Sequence, residues 1–260
     1  LSRIVWDATG DRFYERGVDR GVLYVENFDG VPWNGLISVD EKPSGGDIQS
    51  YYMDGQKYFQ ETSSEDYSAT ITAFTYPDEF EFCEGIIPYT TGMFLTAQSR
   101  KSFGFTYRTL IGNDVTSEDG YKIHIIYGAM ATPTDRNNVS VSDQINATSF
   151  SWDIQAVPVI IPKFKGTAHI VIDSRTIKSL ALSEIEDILY GNDSNAPRIP
   201  DISEVGAMID SFADLMVIDN GDGTFTISGD GVTEIDANTY TIDWPSVVEI
   251  DSNTYQVTSQ

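Results

Sequence analysis

A period of two runs through most of this chain and limits what it can fold into. In 149–156, Phe150, Trp152, Ile154 and Ala156 point one way, while Ser149, Ser151, Asp153 and Gln155 point the other. That is a strand with one buried and one wet face. Residues 67–76 repeat the pattern, with Ala69, Ile71 and Ala73 opposed to Ser68, Thr70 and Thr72. Phe103, Phe105 and Tyr107 share a face, as do Tyr121, Ile123, Ile125 and Tyr127, and Ala168, Ile170 and Ile172. Gly21–Val25 and Trp33–Val39 read as further strands, and the turns between strands carry Gly, Asn and Asp, as at Gly112-Asn113-Asp114. A mainly β domain follows.

Two stretches read as helix. Ser183 and Glu186 have capping-box spacing, and the turn Ile188-Leu189-Tyr190 stops at Gly191. Asp201–Phe212 is the second, with Asp201 or Ser203 as N-cap and Ile202, Val205, Ile209 and Phe212 along one side. The Pro-rich link 196–200 separates them.

Charge marks a change of module. Of 40 acids and 16 bases (net −24), every Lys and Arg lies at or before Arg198, and residues 199–260 hold twelve acids. This acidic end contains a repeat: the eleven residues Val232–Ile242 recur as Val247–Val257 with seven identities, each copy reading as strand, turn, strand. With strands around Asn220–Gly223, residues 214–260 are expected to form a small all-β appendage of hairpins. So short a segment has a marginal core of its own and is expected to lean on the main module or on a neighbouring subunit.

The search for chemistry returns little. The acidity argues against tight nucleic-acid binding, which needs cations facing phosphates. No apolar run is long enough for a membrane span, and the opening apolar stretch is too short for a signal peptide. Phosphate-loop, dinucleotide, zinc-protease and nucleophile-elbow motifs are missing from the sequence. His124 and His169 stand 45 residues apart on expected strands, which is taken to exclude a His-rich metal site. Cys83 is the one cysteine, in an expected loop between acids that raise its pKa, so it reads as structural. Asp219–Thr224 resembles a calcium loop, but Gly221 and Gly223 occupy ligand positions, so a Gly-rich hairpin turn fits better. Sequons at Asn138, Asn146 and Asn192 read as coincidence without a secretory signal. No catalytic, cofactor or metal residues are expected. Two classes stay open on these grounds: a self-assembling structural protein or a non-catalytic carbohydrate-binding surface module.

Ordered residue strings separate them. Glu15-Arg16-Gly17-Val18-Asp19-Arg20-Gly21-Val22-Leu23-Tyr24 is followed by Val31-Pro32-Trp33-Asn34-Gly35-Leu36 and Glu41-Lys42-Pro43-Ser44-Gly45. Phe74–Phe80, Cys83-Glu84-Gly85, Phe105–Asp114, Tyr121–Ala129, Phe150-Ser151-Trp152 and Ile188–Gly191 come next. This series resembles the major tail (tail tube) proteins of long-tailed, non-contractile bacteriophages over about residues 12–212. The resemblance implies a β-sandwich or partial barrel with a packed helix, hexameric rings stacked into a tube, and no active site. Gly17, Gly35 and Gly112 would serve turns and close backbone approaches. It further implies a tape measure protein in the lumen during assembly, other tail proteins at the tube ends, and viral double-stranded DNA in transit without specific binding. The place of work that the resemblance implies is the virion tail, assembled in the host cytoplasm.

On this reading residues 1–213 form the tube domain, with an N-terminal arm over about 1–20 and a projecting loop over about 40–57. The appendage is expected on the tube exterior, since an acidic knob in the bore would obstruct DNA. Inter-subunit contacts are expected from Arg12, Arg16 and Arg20 of the arm and from Pro43, Gly45, Asp47, Tyr51 and Tyr52 of the loop. The alternative for the arginines is pairing within the chain. An acid-lined bore would repel the duplex over roughly the 8 Å Debye length and let it slide.

Overall fold

The computed structural model describes Ile4, residues 6–26 and 28–136, Asn138 and residues 149–211, and the backbone of 212–213 and of six strands between 216 and 257. In chain order the strands begin with β1 (Tyr14–Val25), β2 (Val31–Pro32), β3 (Leu36–Glu41), β4 (Ser44–Gly45), β5 (Ile48–Met53), β6 (Gln56–Thr62) and β7 (Glu65–Ala73). A single turn of 3₁₀ helix (Asp78–Phe80) leads into α1 (Glu81–Glu84), then β8 (Ile87–Thr90), β9 (Met93–Leu95), β10 (Phe103–Gly112), β11 (Gly120–Ala131), β12 (Phe150–Ala156) and β13 (His169–Asp173). Helices α2 (Ser179–Tyr190) and α3 (Ile202–Ala213) precede β14 (Met216–Asp219), β15 (Phe225–Ser228), β16 (Val232–Asp236), β17 (Thr239–Ile242), β18 (Val247–Asp251) and β19 (Thr254–Val257).

The main sheet is antiparallel, in the order β2-β1-β10-β11-β12-β7-β3, with β13 added to β11 and β4 to β7. The Trp33 amide donates to the Gly21 carbonyl (2.8 Å) and extends the β1–β2 ladder, while the start of β3 approaches β1, a Cβ on Gly21 falling 3.2 Å from the Leu36 side chain. Trp33 fills the fold between the limbs, 4.6 Å from Phe80, 5.3 Å from Phe105 and 5.4 Å from Trp152, measured between ring centroids. These edge-on and tilted aromatic contacts add to the burial of large apolar area. The expected alternation is realised: Trp152, Ile154 and Ala156 are buried, and Ser151, Asp153 and Gln155 are exposed.

Central strands bury both faces. Leu23, Val25, Phe103 and Phe105 face the aromatic core, whereas Val22, Tyr24, Ile123, Ile125 and Ile172 face α2 and α3. Ala181, Leu182, Ile185 and Leu189 of α2 supply the opposing stripe, and Val205 supplies it from α3. The Tyr24 hydroxyl donates to the Leu189 carbonyl (2.7 Å), meeting an acceptor that the helix end leaves open. The mainly β fold with two packed helices agrees with the expectation from sequence.

Four local readings change. Helix α2 starts at Ser179, not Ser183, so the Ser183–Glu186 pair is interior and Lys178 precedes the helix without a side-chain cap. One half of a capping box sits on α3, where the Asp201 amide donates to Glu204 (3.4 Å). Cys83 lies in α1 rather than in a loop, fully buried in the core, and burial more than its acidic neighbour pushes its thiol up to about 12. The stretch expected as an arm turns into strand at Tyr14, where β1 begins to pair with β10. Of the three sequence-marked glycines, Gly17 and Gly35 adopt positive φ, and a Cβ on Gly112 would fall 2.8 Å from the Tyr14 ring.

Candidate functional site

Within the stretch expected as a projecting loop, 40–57, a β-hairpin begins at Ile48 and runs on to Thr62. β5 and β6 pair antiparallel from Ile48↔Thr62 to Met53↔Gln56, leaving Asp54-Gly55 as a two-residue turn. Both turn residues have positive φ (50° and 77°), as a primed turn of the Asp-Gly type requires. This dipeptide between β-rich runs was the signal in the sequence for the whole hairpin. Every residue of β6 is exposed, and all of β5 but Ser50. Tyr52 is 67% and Tyr58 71% exposed, and Ile48, Tyr51, Met53 and Phe59 are exposed beside them. Tyr51 stacks on Phe59 at 4.4 Å, so part of the aromatic surface is held rigid.

The hairpin springs from a constrained root. Ser44 and Gly45 pair with Asp66 and Glu65 of β7. Gly45 has φ 84°, and a Cβ there would lie 2.3 Å from the Ser64 carbonyl oxygen, so only glycine fits. The Asp47 amide donates to Ser63 Oγ (2.9 Å) and the Ser63 amide to the Asp47 carbonyl (3.0 Å). Of the sequence-named residues, Pro43, Gly45 and Asp47 are therefore at the root, and Tyr51 and Tyr52 on the projecting part.

The three arginines do not gather with them. Arg12 reaches Asp114 (3.9 Å) and donates to the Asp7 carbonyl, and Arg16 donates to the Ser117 carbonyl (2.9 Å). Arg20 sits at positive φ in a β-bulge, 3.8 Å from Glu186 and over the Tyr190 ring. Each has a partner inside the chain. Asn146 and residues 220–224 lie outside the described residues.

The acidic end pairs as its repeat predicts. β16–β17 and β18–β19 share one register, Val232↔Ile242 through Asp236↔Thr239 and Val247↔Val257 through Asp251↔Thr254, each with one irregularity before the turn. β14 and β15 pair across the Gly-rich stretch, Asp219 opposite Phe225.

One juxtaposition corrects the sequence reading. Forty-five residues of separation do not keep the histidines apart, because β11 pairs with β13. His124 Nδ1 and His169 Nε2 lie 3.1 Å from each other, and Glu41 from the end of β3 lies 3.5 Å from His124 Nδ1. Tyr107 donates to Glu41 Oε1 (2.5 Å) and stacks on the His124 ring. Burial, followed by the neighbouring His169, pulls the His124 pKa down to about 4, against the pull of Glu41. Burial lowers His169 in the same direction, and burial with the Glu41 hydrogen bond raises the Tyr107 phenol.

No helix among the described residues is long and apolar enough to cross a membrane. No protein-family model matches the chain, and no curated protein matches it. Solved structures contain chains similar to it, among them the following three. One is the sheath–tube complex of an extracellular contractile injection system (PVC) in its extended state, at 14% identity over 59% of this chain and 88% of that one, with a TM-score of 0.32. Another is the baseplate of the anti-feeding prophage, at 7% identity over 65% and 97%, with a TM-score of 0.36. The third is the PVC sheath/tube terminator, at 14% identity over 65% and 99%, with a TM-score of 0.30.

Proposed function

We propose that this chain is the building block of a phage tail tube: six copies close into a ring, and rings stack into a conduit for DNA. The observation that carries this reading is the hairpin Ile48–Thr62, which holds Ile48, Tyr51, Tyr52, Met53, Tyr58 and Phe59 in water. A rigid, aromatic, exposed element of this kind is an interaction surface, since burying such side chains is favourable and leaving them wet is not. The ordered strings over residues 12–212 supply the kind of assembly, and the hairpin supplies a contact for it. Tyr51 and Tyr52 touch the next subunit or ring, while Pro43, Gly45 and Asp47 set the angle of the root.

Arg12 and Arg16 act inside the chain on this reading. Arg20, half exposed beside Glu186, remains able to accept a second carboxylate from an adjoining copy. The net charge of −24 gives the ring acids enough to line a bore through which a tape measure protein and then DNA pass without sticking. The module 214–260 lies on the outside.

Electron microscopy of the purified full-length chain tests the proposal. Hollow rods of stacked rings are expected. Replacing Gln49–Glu61 by two glycines should leave a folded monomer that forms no rods. Dispersed monomers from the unaltered chain, with measurable sugar affinity, would overturn the proposal in favour of the glycan-binding class.

A further inference from the structure

We propose that Glu41, His124 and His169 hold a divalent transition-metal ion of the zinc class, fastening the end of β3 to β11 and β13. One ligand atom from each of the three side chains lies within 4.8 Å of the others. Zinc bonds of 2.0–2.1 Å at tetrahedral angles place ligand atoms about 3.3 Å apart. The separations of 3.1 Å between the imidazole nitrogens and 3.5 Å from His124 Nδ1 to Glu41 Oε1 bracket that value.

Proton placement favours a cation as well. Thr109 Oγ1 donates its one proton to Glu15 (3.4 Å), so toward His124 Nε2, 3.1 Å away, it acts as acceptor. His124 therefore carries its hydrogen on Nε2 and turns the Nδ1 lone pair toward His169 and Glu41. The Tyr107 hydroxyl donates to the same Glu41 Oε1 that faces His124, and Lys122 holds Glu15, the kind of outer hydrogen bonding that orients metal ligands. Two imidazoles and a carboxylate suit zinc with water as the fourth ligand, and the exposed side of Glu41 gives the ion a way in. Glu41 ends β3 three residues before Ser44, so the ion would anchor the hairpin root to the main sheet.

The inference concerns the isolated chain and stands whether or not tubes form. The test is titration of the full-length, metal-stripped protein with Co²⁺ and then Zn²⁺. One equivalent of Co²⁺ should give the visible absorption of a tetrahedral site, which Zn²⁺ removes. Zn²⁺ at a hundredfold excess over its Kd should raise Tm by about 5–10 °C. Glu41→Gln keeps the shape of the side chain and should weaken binding at least about tenfold, and Tyr107→Phe should weaken it by a comparable factor. His169→Gln gives a second ligand variant should Glu41→Gln not fold. A wild-type chain with no Co²⁺ absorption would overturn the proposal. So would a Zn²⁺ shift of equal size in wild type, Glu41→Gln and His169→Gln, leaving the histidines as a hydrogen-bonded pair.

Discussion

β12 and β6 are both seven-residue strands with aromatic side chains, yet they end in opposite surroundings. Phe150–Ala156 sinks Trp152, Ile154 and Ala156 into the core, and Gln56–Thr62 leaves all seven residues in water. The first lies between β11 and β7 with a second layer over one face. The second has β5 as its strand partner. A strand-forming pattern thus specifies a strand, and only the neighbours decide whether its apolar residues hold the monomer together or remain available to another copy.

The comparison breaks first at the hairpin. Exchanging Gln49–Glu61 for a short glycine turn should abolish rods in micrographs while moving monomer stability by less than about 0.5 kcal/mol, as for surface changes generally. A large fall in the urea midpoint would mean that the hairpin is part of the core after all. The reciprocal change, Trp152→Ala, should cost about 3–5 kcal/mol in equilibrium unfolding, because a 1%-exposed indole leaves a cavity and strands Glu84 Oε1 without its donor. Gly45→Ala falls between the two regions. Its strained φ and the Ser64 carbonyl should cost about 1–3 kcal/mol locally, read as faster hydrogen exchange at the Gly46 and Ser63 amides.

Smaller effects come from charge. Arg108 donates twice to Asp19, at 2.8 Å each, beneath a half-covered surface, and Asp19→Asn should lose about 1 kcal/mol. The smallest is a pH effect. Lys122, Arg175 and Arg198 hold Glu15, Asp173 and Glu204 below the ordinary carboxylate range. Their stabilisation is complete above the ordinary values near 4.5 and 3.8, and it drains away as pH falls through the lowered ones. Solvent screening limits each to under about 1 kcal/mol, so in unfolding curves their loss should show only below about pH 4, after the decline that the buried neutral His124 and His169 begin near pH 6.5, where the unfolded chain takes up their protons.

Much of the fold was legible because its signals are local. Alternation located β7, β10, β11, β12 and β13 within a few residues, and the repeat set the shared register of β16–β17 and β18–β19. The start of α2 was misread because a capping pattern at Ser183 outweighed the uncapped beginning at Ser179. The extent of the hairpin was missed although Asp54-Gly55 marks it, since exposed strands lack the apolar contrast that draws attention to buried ones.

What the residues determined alone was which segments extend, which coil into helices and where charge collects, because each depends on side-chain periodicity over a few neighbours. The meeting of Glu41, His124 and His169 was decided by tertiary structure, through the pairing of β11 with β13 and the closing of β3 over them. No pattern along the chain encodes that encounter, because strand register between distant segments is fixed by packing across the whole sheet.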